Sequence, residues 1–251
     1  MAKDSQSSMQ DATRSRADFS GHGKSKGAAG HVDDHDEIYN DDPVLISTRG
    51  DSVVVEASTG TFENIKIDLA WDNIIVEQAE GFVDKLFRRA KKNVANEGVD
   101  IDIGCLYELQ NGERGCLQAF GELFGSLDEE PFIFITGDER TGNTEGADES
   151  MIINGSKWPE IKRILVYMYI YDGVPDWKTL KPEVFIDIPG DEDLKMTPHV
   201  EKSELAICAV GMLENERNGI RLTNHSEYFP GHPEMDRAFG FGMEWEDGAK
   251  D

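Results

Sequence analysis

The sequence predicts an all-β chain: a two-sheet β-sandwich with one inserted amphipathic helix and a disordered N-terminal tail. Three observations carry that expectation. Short apolar runs bounded by Gly, Pro, Asn and Asp recur from residue 43 almost to the C-terminus. A single long stretch, about residues 73–97, switches from strand to helical period. Apolar residues make up 38% of the 251 positions, enough for a sizeable core in one domain.

Residues 1–42 are rich in Ser, Gly, Asp and His and hold few large apolar side chains, too few to offset the entropy of ordering. Within them, His31-Val32-Asp33-Asp34-His35-Asp36 carries metal-donor types, but nothing fixes those donors, so a solvated acidic tail is the favoured reading. VLIST and SVVVEA flank Arg49-Gly50-Asp51 and read as a hairpin. FENIKIDLAW, with Phe62, Ile65, Ile67 and Leu69, reads as a partly buried strand.

The helical stretch repeats apolar residues at Ile75, Ala79, Phe82, Val83, Leu86, Phe87, Ala90 and Val94. Asp84 and Arg88 are spaced to pair on its solvent face, and Gly98 is a natural stop. Its basic residues, Lys85, Arg88, Arg89, Lys91 and Lys92, would suit an anionic surface. Packing of the apolar stripe on the domain is the plainer reading.

Strands dominate thereafter. VDIDIGCLYEL and RGCLQAF meet at Asn111-Gly112, a strong hairpin signal. PFIFIT, IKRILVYMYIYDG, EVFIDI, LAICAVGML and IRLTNHSEYF follow, with turns at Pro189-Gly190 and Arg217-Asn218-Gly219. The run ILVYMYIY is apolar on both faces and so belongs at the centre of a sheet. Trp158, Trp177 and Trp245 border strands and turns, where the ring packs and the indole N–H finds an acceptor. The domain is expected over residues 43–245, with a flexible end at 246–251.

Charge and cysteine usage narrow the function. Fifty acidic residues against 25 basic ones leave a net charge of −25, which disfavours a nucleic-acid partner and suits cations or a basic partner. Solubility accounts for much of that excess. There is no apolar stretch of membrane-spanning length and no secretory h-region. Cys105, Cys116 and Cys208 are far apart, odd in number and without CxxC spacing, which points to reduced thiols in a cytoplasmic protein.

Two features crowd acids together. In VDIDIGCLYEL, Ile101, Ile103, Cys105, Tyr107 and Leu109 share one strand face, so Asp100 and Asp102 share the other. Neighbouring carboxylates with no obvious base repel, and a cation would relieve them. Residues 137–150, GDERTGNTEGADES, supply further oxygen donors, with glycines that let carbonyls turn inward. Many flexible oxygen ligands suit Ca2+, whereas the absence of paired His or Cys disfavours zinc and copper. The loop does not fit the twelve-residue EF-hand pattern, and on composition alone a solvated loop is an equal alternative.

VDIDIGCLYEL, QAFGELFGSLDEEPFIFITGDERTG, NGSKWPEIKRILVYMYIYDGVPDW and GHPEMDRAFGFGMEW together resemble the TerD family of tellurium-resistance and stress proteins, with the TerA-like branch most similar. The resemblance runs in order from about residue 65 to 245. It implies a Ca2+-binding two-sheet sandwich, in which Asp100 and Asp102 correspond to a DLD strand motif. Asp138, Thr141, Gly142, Glu145, Gly146, Asp148 and Glu149 match the acidic loop. Asn143-Thr144 lengthens that loop and Ala147 departs from it, which favours one ion over two. The expected ligands are Asp100, Asp102, Asp138, Glu145, Asp148 and Glu149, with Arg140 and Gly142 as carbonyl donors.

The resemblance also implies partners: other TerD-family proteins and a TerC-like membrane protein. The expected location is cytoplasmic, with a peripheral place at the inner membrane face left open. No phosphate-binding glycine motif and no GxSxG elbow occurs, and no enzyme is expected. His225, Glu227 and His232 are the weak exception, an acid/base set by proximity in sequence. The expected function is a Ca2+-binding, non-enzymatic stress-response module acting through protein partners. The alternative is a metal-free scaffold.

Overall fold

A computed structural model of the chain describes residues 43–57, 60–71, 99–119, 121–136, 149–172, 176–191, 193–199 and 204–245. The N-terminal tail, the helix expected over 73–97, the C-terminal end at 246–251 and residues 137–148 of the acidic loop lie outside them.

Thirteen strands form two sheets among the described residues. The first holds seven, in the order β1 (Val44–Ile46), β11 (Leu194–Met196), β10 (Glu183–Asp187), β3 (Ile65–Ala70), β8 (Glu149–Ile153), β7 (Ile133–Thr136) and β6 (Gly125–Ser126). The second holds six: β2 (Ser52–Val55), β13 (Gly219–Phe229), β12 (Ile207–Glu216), β9 (Ile161–Asp172), β4 (Asp100–Leu109) and β5 (Arg114–Gln118). The all-β, two-sheet expectation is met. β9, which carries ILVYMYIY, lies between β12 and β4, as a strand without a polar face must.

One core fills the space between the sheets. The inner phase of β4 (Ile101, Ile103, Cys105, Tyr107 and Leu109) meets Ile65, Ile67 and Leu69 of β3 there. A second, smaller cluster lies on the opposite face of the six-stranded sheet. It gathers Leu106, Leu165, Tyr167, Tyr169, Ile207 and Met212 under Met235 and Phe241. A one-turn helix, α1 (Trp177–Leu180), precedes β10, and helix α2 (His232–Phe239) with the extended residues that follow closes that outer face. Both faces of β4 and β9 are therefore buried.

Local turn signals behave as their chemistry requires. Asn111-Gly112 joins β4 to β5, with Gly112 at φ 89°. Arg217 and Asn218, at φ 56° and 70°, make a turn of the kind that matches strand twist between β12 and β13. The three indoles pack and find acceptors. Trp158 donates to the Gly219 carbonyl at 3.0 Å, Trp177 to Leu205 at 2.8 Å, and Trp245 to the Asp236 carboxylate at 2.9 Å.

The hairpin expected across Arg49-Gly50-Asp51 does not form. The turn is present, since Asp51 N–H donates to the Thr48 carbonyl at 3.0 Å, but its flanking strands enter different sheets. β1 runs parallel to β11 and β2 runs antiparallel to β13. Buried Asn224 explains the difference. Its amide donates to the Ile46 carbonyl at 2.8 Å, and its backbone pairs with Gly50 and Asp51. The groups a hairpin ladder would pair are satisfied across the sandwich instead. β11 was not expected either: three residues are too few to show alternation.

Gly104 illustrates how tightly the outer layer packs. A Cβ placed there would lie 2.4 Å from the Tyr167 ring, which is buried in the outer cluster with Met235 and Phe241. Gly104→Ala is expected to destabilise the protein by about 1–3 kcal/mol through overpacking, read from a denaturant midpoint. An unchanged midpoint would show that the ring can move aside.

Candidate functional site

Asp100 and Asp102 open β4, and their phase faces away from the inter-sheet core. The register places Tyr169 opposite Asp102 and Asp172 opposite Asp100. A bulge next to this pair makes Tyr171 the extra residue of β9, and Tyr171 is 52% exposed. Asp100 and Asp102 thus share one end of β4, where the register sets the backbone of β9 at residue 172 opposite Asp100. Asp102 is only 4% exposed, so its charge carries a desolvation cost.

Glu149, the first residue of β8, is buried at 1% exposure. It pairs with Leu69 and shares the core-facing phase of Met151 and Ile153. It stands on the other sheet from Asp100 and Asp102. Asp138, Arg140, Gly142, Glu145 and Asp148 lie outside the described residues. The described donors are all carboxylate oxygens, which suits Ca2+. Among the described residues, no three His, Cys, Asp or Glu side chains gather closely enough to hold a metal by themselves.

The two ends of the acidic loop are pinned to each other. Thr136 of β7 pairs with Ser150 of β8, and the Thr136 hydroxyl donates to the Ser150 carbonyl at 3.2 Å. The Ser150 hydroxyl donates to buried Asp68 at 2.5 Å, and Lys66 donates to the same carboxylate at 2.8 Å. Sequence reasoning missed Asp68. Alternation within IKIDLA shows only that it faces away from the core; its burial beside the loop depends on the pairing of β3 with β8.

A second polar centre lies at the opposite end of β4. Glu108, at 2% exposure, accepts from Arg114 at 3.0 Å, Lys162 at 2.9 Å and Arg163 at 2.7 Å. Burial pushes its carboxyl up, but the hydrogen bonds from Lys162, Arg163 and Arg114 outweigh that and hold it down to about 2.

His225, Glu227 and His232 have separate neighbours. His225 stands edge-on to Phe239, Glu227 pairs with Arg49, and His232 lies against Tyr167, Tyr169 and Trp245. All three cysteines are free thiols; burial pushes Cys116 up to about 11 and Cys208 up to about 12.

Over 204 residues the chain is 33% identical to the tellurium resistance protein TerA of Alcaligenes sp.. The chain resembles the tellurium-resistance proteins, on their TerA-like side. The alignment takes in 81% of the chain and 57% of TerA, so the chain spans a little over half the length of this curated relative. No protein-family model matches the chain. Two solved structures are similar in outline. One is a homologue of the telluride resistance protein TerD from Streptomyces coelicolor, at 15% identity and TM-score 0.45, covering 70% of this chain and 95% of that one. The other is a protein of unknown function, at 14% identity and TM-score 0.48, covering 73% and 99%.

Proposed function

We propose that this TerA-like chain is a Ca2+-binding, non-enzymatic module that serves resistance to tellurite and wider chemical stress through protein partners. One observation carries the metal part. Asp100 and Asp102 share the outer phase at the start of β4, with Asp102 almost wholly buried. Like charges so placed repel, and a hard cation closed in by oxygen donors from residues 137–149 relieves the repulsion. The ion would order the acidic loop and present a surface to partners, namely other TerD-family proteins and a TerC-like membrane protein. The likeness to TerA supports the tellurite-stress reading.

The test is the melting curve of metal-stripped protein with Ca2+, with Mg2+ as the control. A ligand of the folded state alone adds roughly 2.7 kcal/mol at a hundred times its dissociation constant. The melting temperature is expected to rise with Ca2+ and to stay unchanged with Mg2+, and the rise should vanish in Asp102→Asn. Equal melting with and without Ca2+ would leave the scaffold reading in its place.

A further inference from the structure

The C-terminal strap, α2 with residues 241–245, closes the outer apolar face of the six-stranded sheet. Part of its fastening is charged. Arg163 donates to the Phe239 and Gly240 carbonyls, both at 2.9 Å, and Arg114 donates to Phe241 at 2.7 Å. Asp236 accepts from the Gly242 and Met243 amides and the Trp245 indole.

Apolar packing of Met235 and Phe241 adds to this fastening, and two histidine rings complete it. His232, the first residue of α2, stacks on Trp245 at 5.3 Å and meets Tyr167 and Tyr169 edge-on at 5.1 and 5.9 Å. Its Nε2 is shut off from solvent and has no hydrogen-bond partner. His225 of β13 stands perpendicular to Phe239 at 4.9 Å, near the far end of the same helix. We propose that the strap is an acid-sensitive latch: protonation of His225 and His232 loosens it from the sheet and uncovers the apolar face beneath.

A protonated imidazole carries two N–H donors, and at His232 one of them would point into a place with no acceptor. The N-terminus of α2 adds positive potential at the same point. The titratable groups around His232 are Tyr167 and Tyr169 on β9, Asp102 across from Tyr169 on β4, Cys116 bonded to Tyr167 from β5, and Glu234 and Asp236 on α2. Asp236 is already engaged by the strap's own donors. Around His225 stand Glu227 on its own strand, Arg49 paired with Glu227, and Glu214 on β12.

Burial lowers the pKa of His232. At His225 burial lowers it and Glu227 raises it, with Arg49 and Glu214 as smaller opposing influences; the net direction is down. The closed strap therefore binds fewer protons than the open one. The stability these rings contribute is complete above the free-histidine pKa of about 6.5 and is lost as pH falls through the lowered values. The Glu108 cluster keeps its charge until pH nears about 2, so it does not contribute to a response in the mildly acidic range.

Hydrogen exchange of the strap amides, corrected for intrinsic rates, is to be compared at about pH 7.5 and about pH 5.5. Protection in the natural chain is expected to fall by about tenfold or more at the lower pH, with a rise in apolar-dye binding. The doubly substituted His225→Phe, His232→Phe protein keeps the rings and should hold its protection. Equal protection at both pH values in the natural chain, or an equal fall in the variant, would overturn the latch. If the variant does not fold, NMR titration of the two rings in the natural chain decides. Midpoints below that of free histidine support the latch, and midpoints at or above it overturn it.

Discussion

Replacing Glu108 with alanine is expected to destabilise the protein by about 3–5 kcal/mol, the usual cost of removing one partner from a buried ion cluster. The carboxylate is buried, and Arg114, Lys162 and Arg163 all donate to it. Without it, three cations face one another around a vacated polar site. The damage spreads, because Arg163 and Arg114 also hold the carbonyls of residues 239–241, and the Arg163 guanidinium lies 4.1 Å over the Phe241 ring. The strap should loosen along with the fold. An exposed pair such as Lys157–Glu160 contributes only about 0–1 kcal/mol, so its removal is a fitting control.

The same residue sets an acid limit. Glu108 is held down to about 2, so its stabilisation is complete above the ordinary glutamate value and lost as pH falls from there through about 2. Glu108→Gln should lower stability at neutral pH and flatten that part of the pH profile. A variant profile as steep as the natural one would assign the acid sensitivity to other carboxylates.

Trp158→Ala is expected to cost about 3–5 kcal/mol in a denaturant melt. Trp158 lies in the 3-10 turn Gly155–Glu160, is fully buried, and belongs to the core between the sheets. Its indole donates to the Gly219 carbonyl, and its own carbonyl accepts from Asn215 at 2.9 Å. It thus ties the turn before β9 to the β12–β13 hairpin. Truncation opens a cavity and leaves the Gly219 carbonyl without its indole donor. Trp158→Phe retains most of the apolar area and should lose less. Equal losses in the two variants would mean that the hydrogen bond, rather than packing, dominates.

The candidate site was legible in part. Alternation alone separated Asp100 and Asp102 from the core face of β4, and the structure has them there. It could not show that Asp172 lies across from Asp100, because that follows from the register of β4 on β9. The approach of Thr136 to Ser150, and Asp68 beside them, likewise comes from strand pairing between residues far apart in sequence.

Period and turn chemistry are local properties, and they determined what they could reach. These are the two-sided apolar strand β9, the hairpins at Asn111-Gly112 and Arg217-Asn218-Gly219, and the packed indoles with satisfied N–H groups. Tertiary structure alone decided that the Arg49-Gly50-Asp51 turn carries the chain from one sheet to the other, that β11 exists, and that Glu108 gathers cations from two neighbouring strands. It also decided that the outer face of the six-stranded sheet is a second core under a strap, rather than a solvated surface. The physical reason is the same in each case. A short strand or a single charged side chain carries too little local preference to choose its partner, and the choice falls to whichever distant neighbour satisfies its backbone groups or its charge.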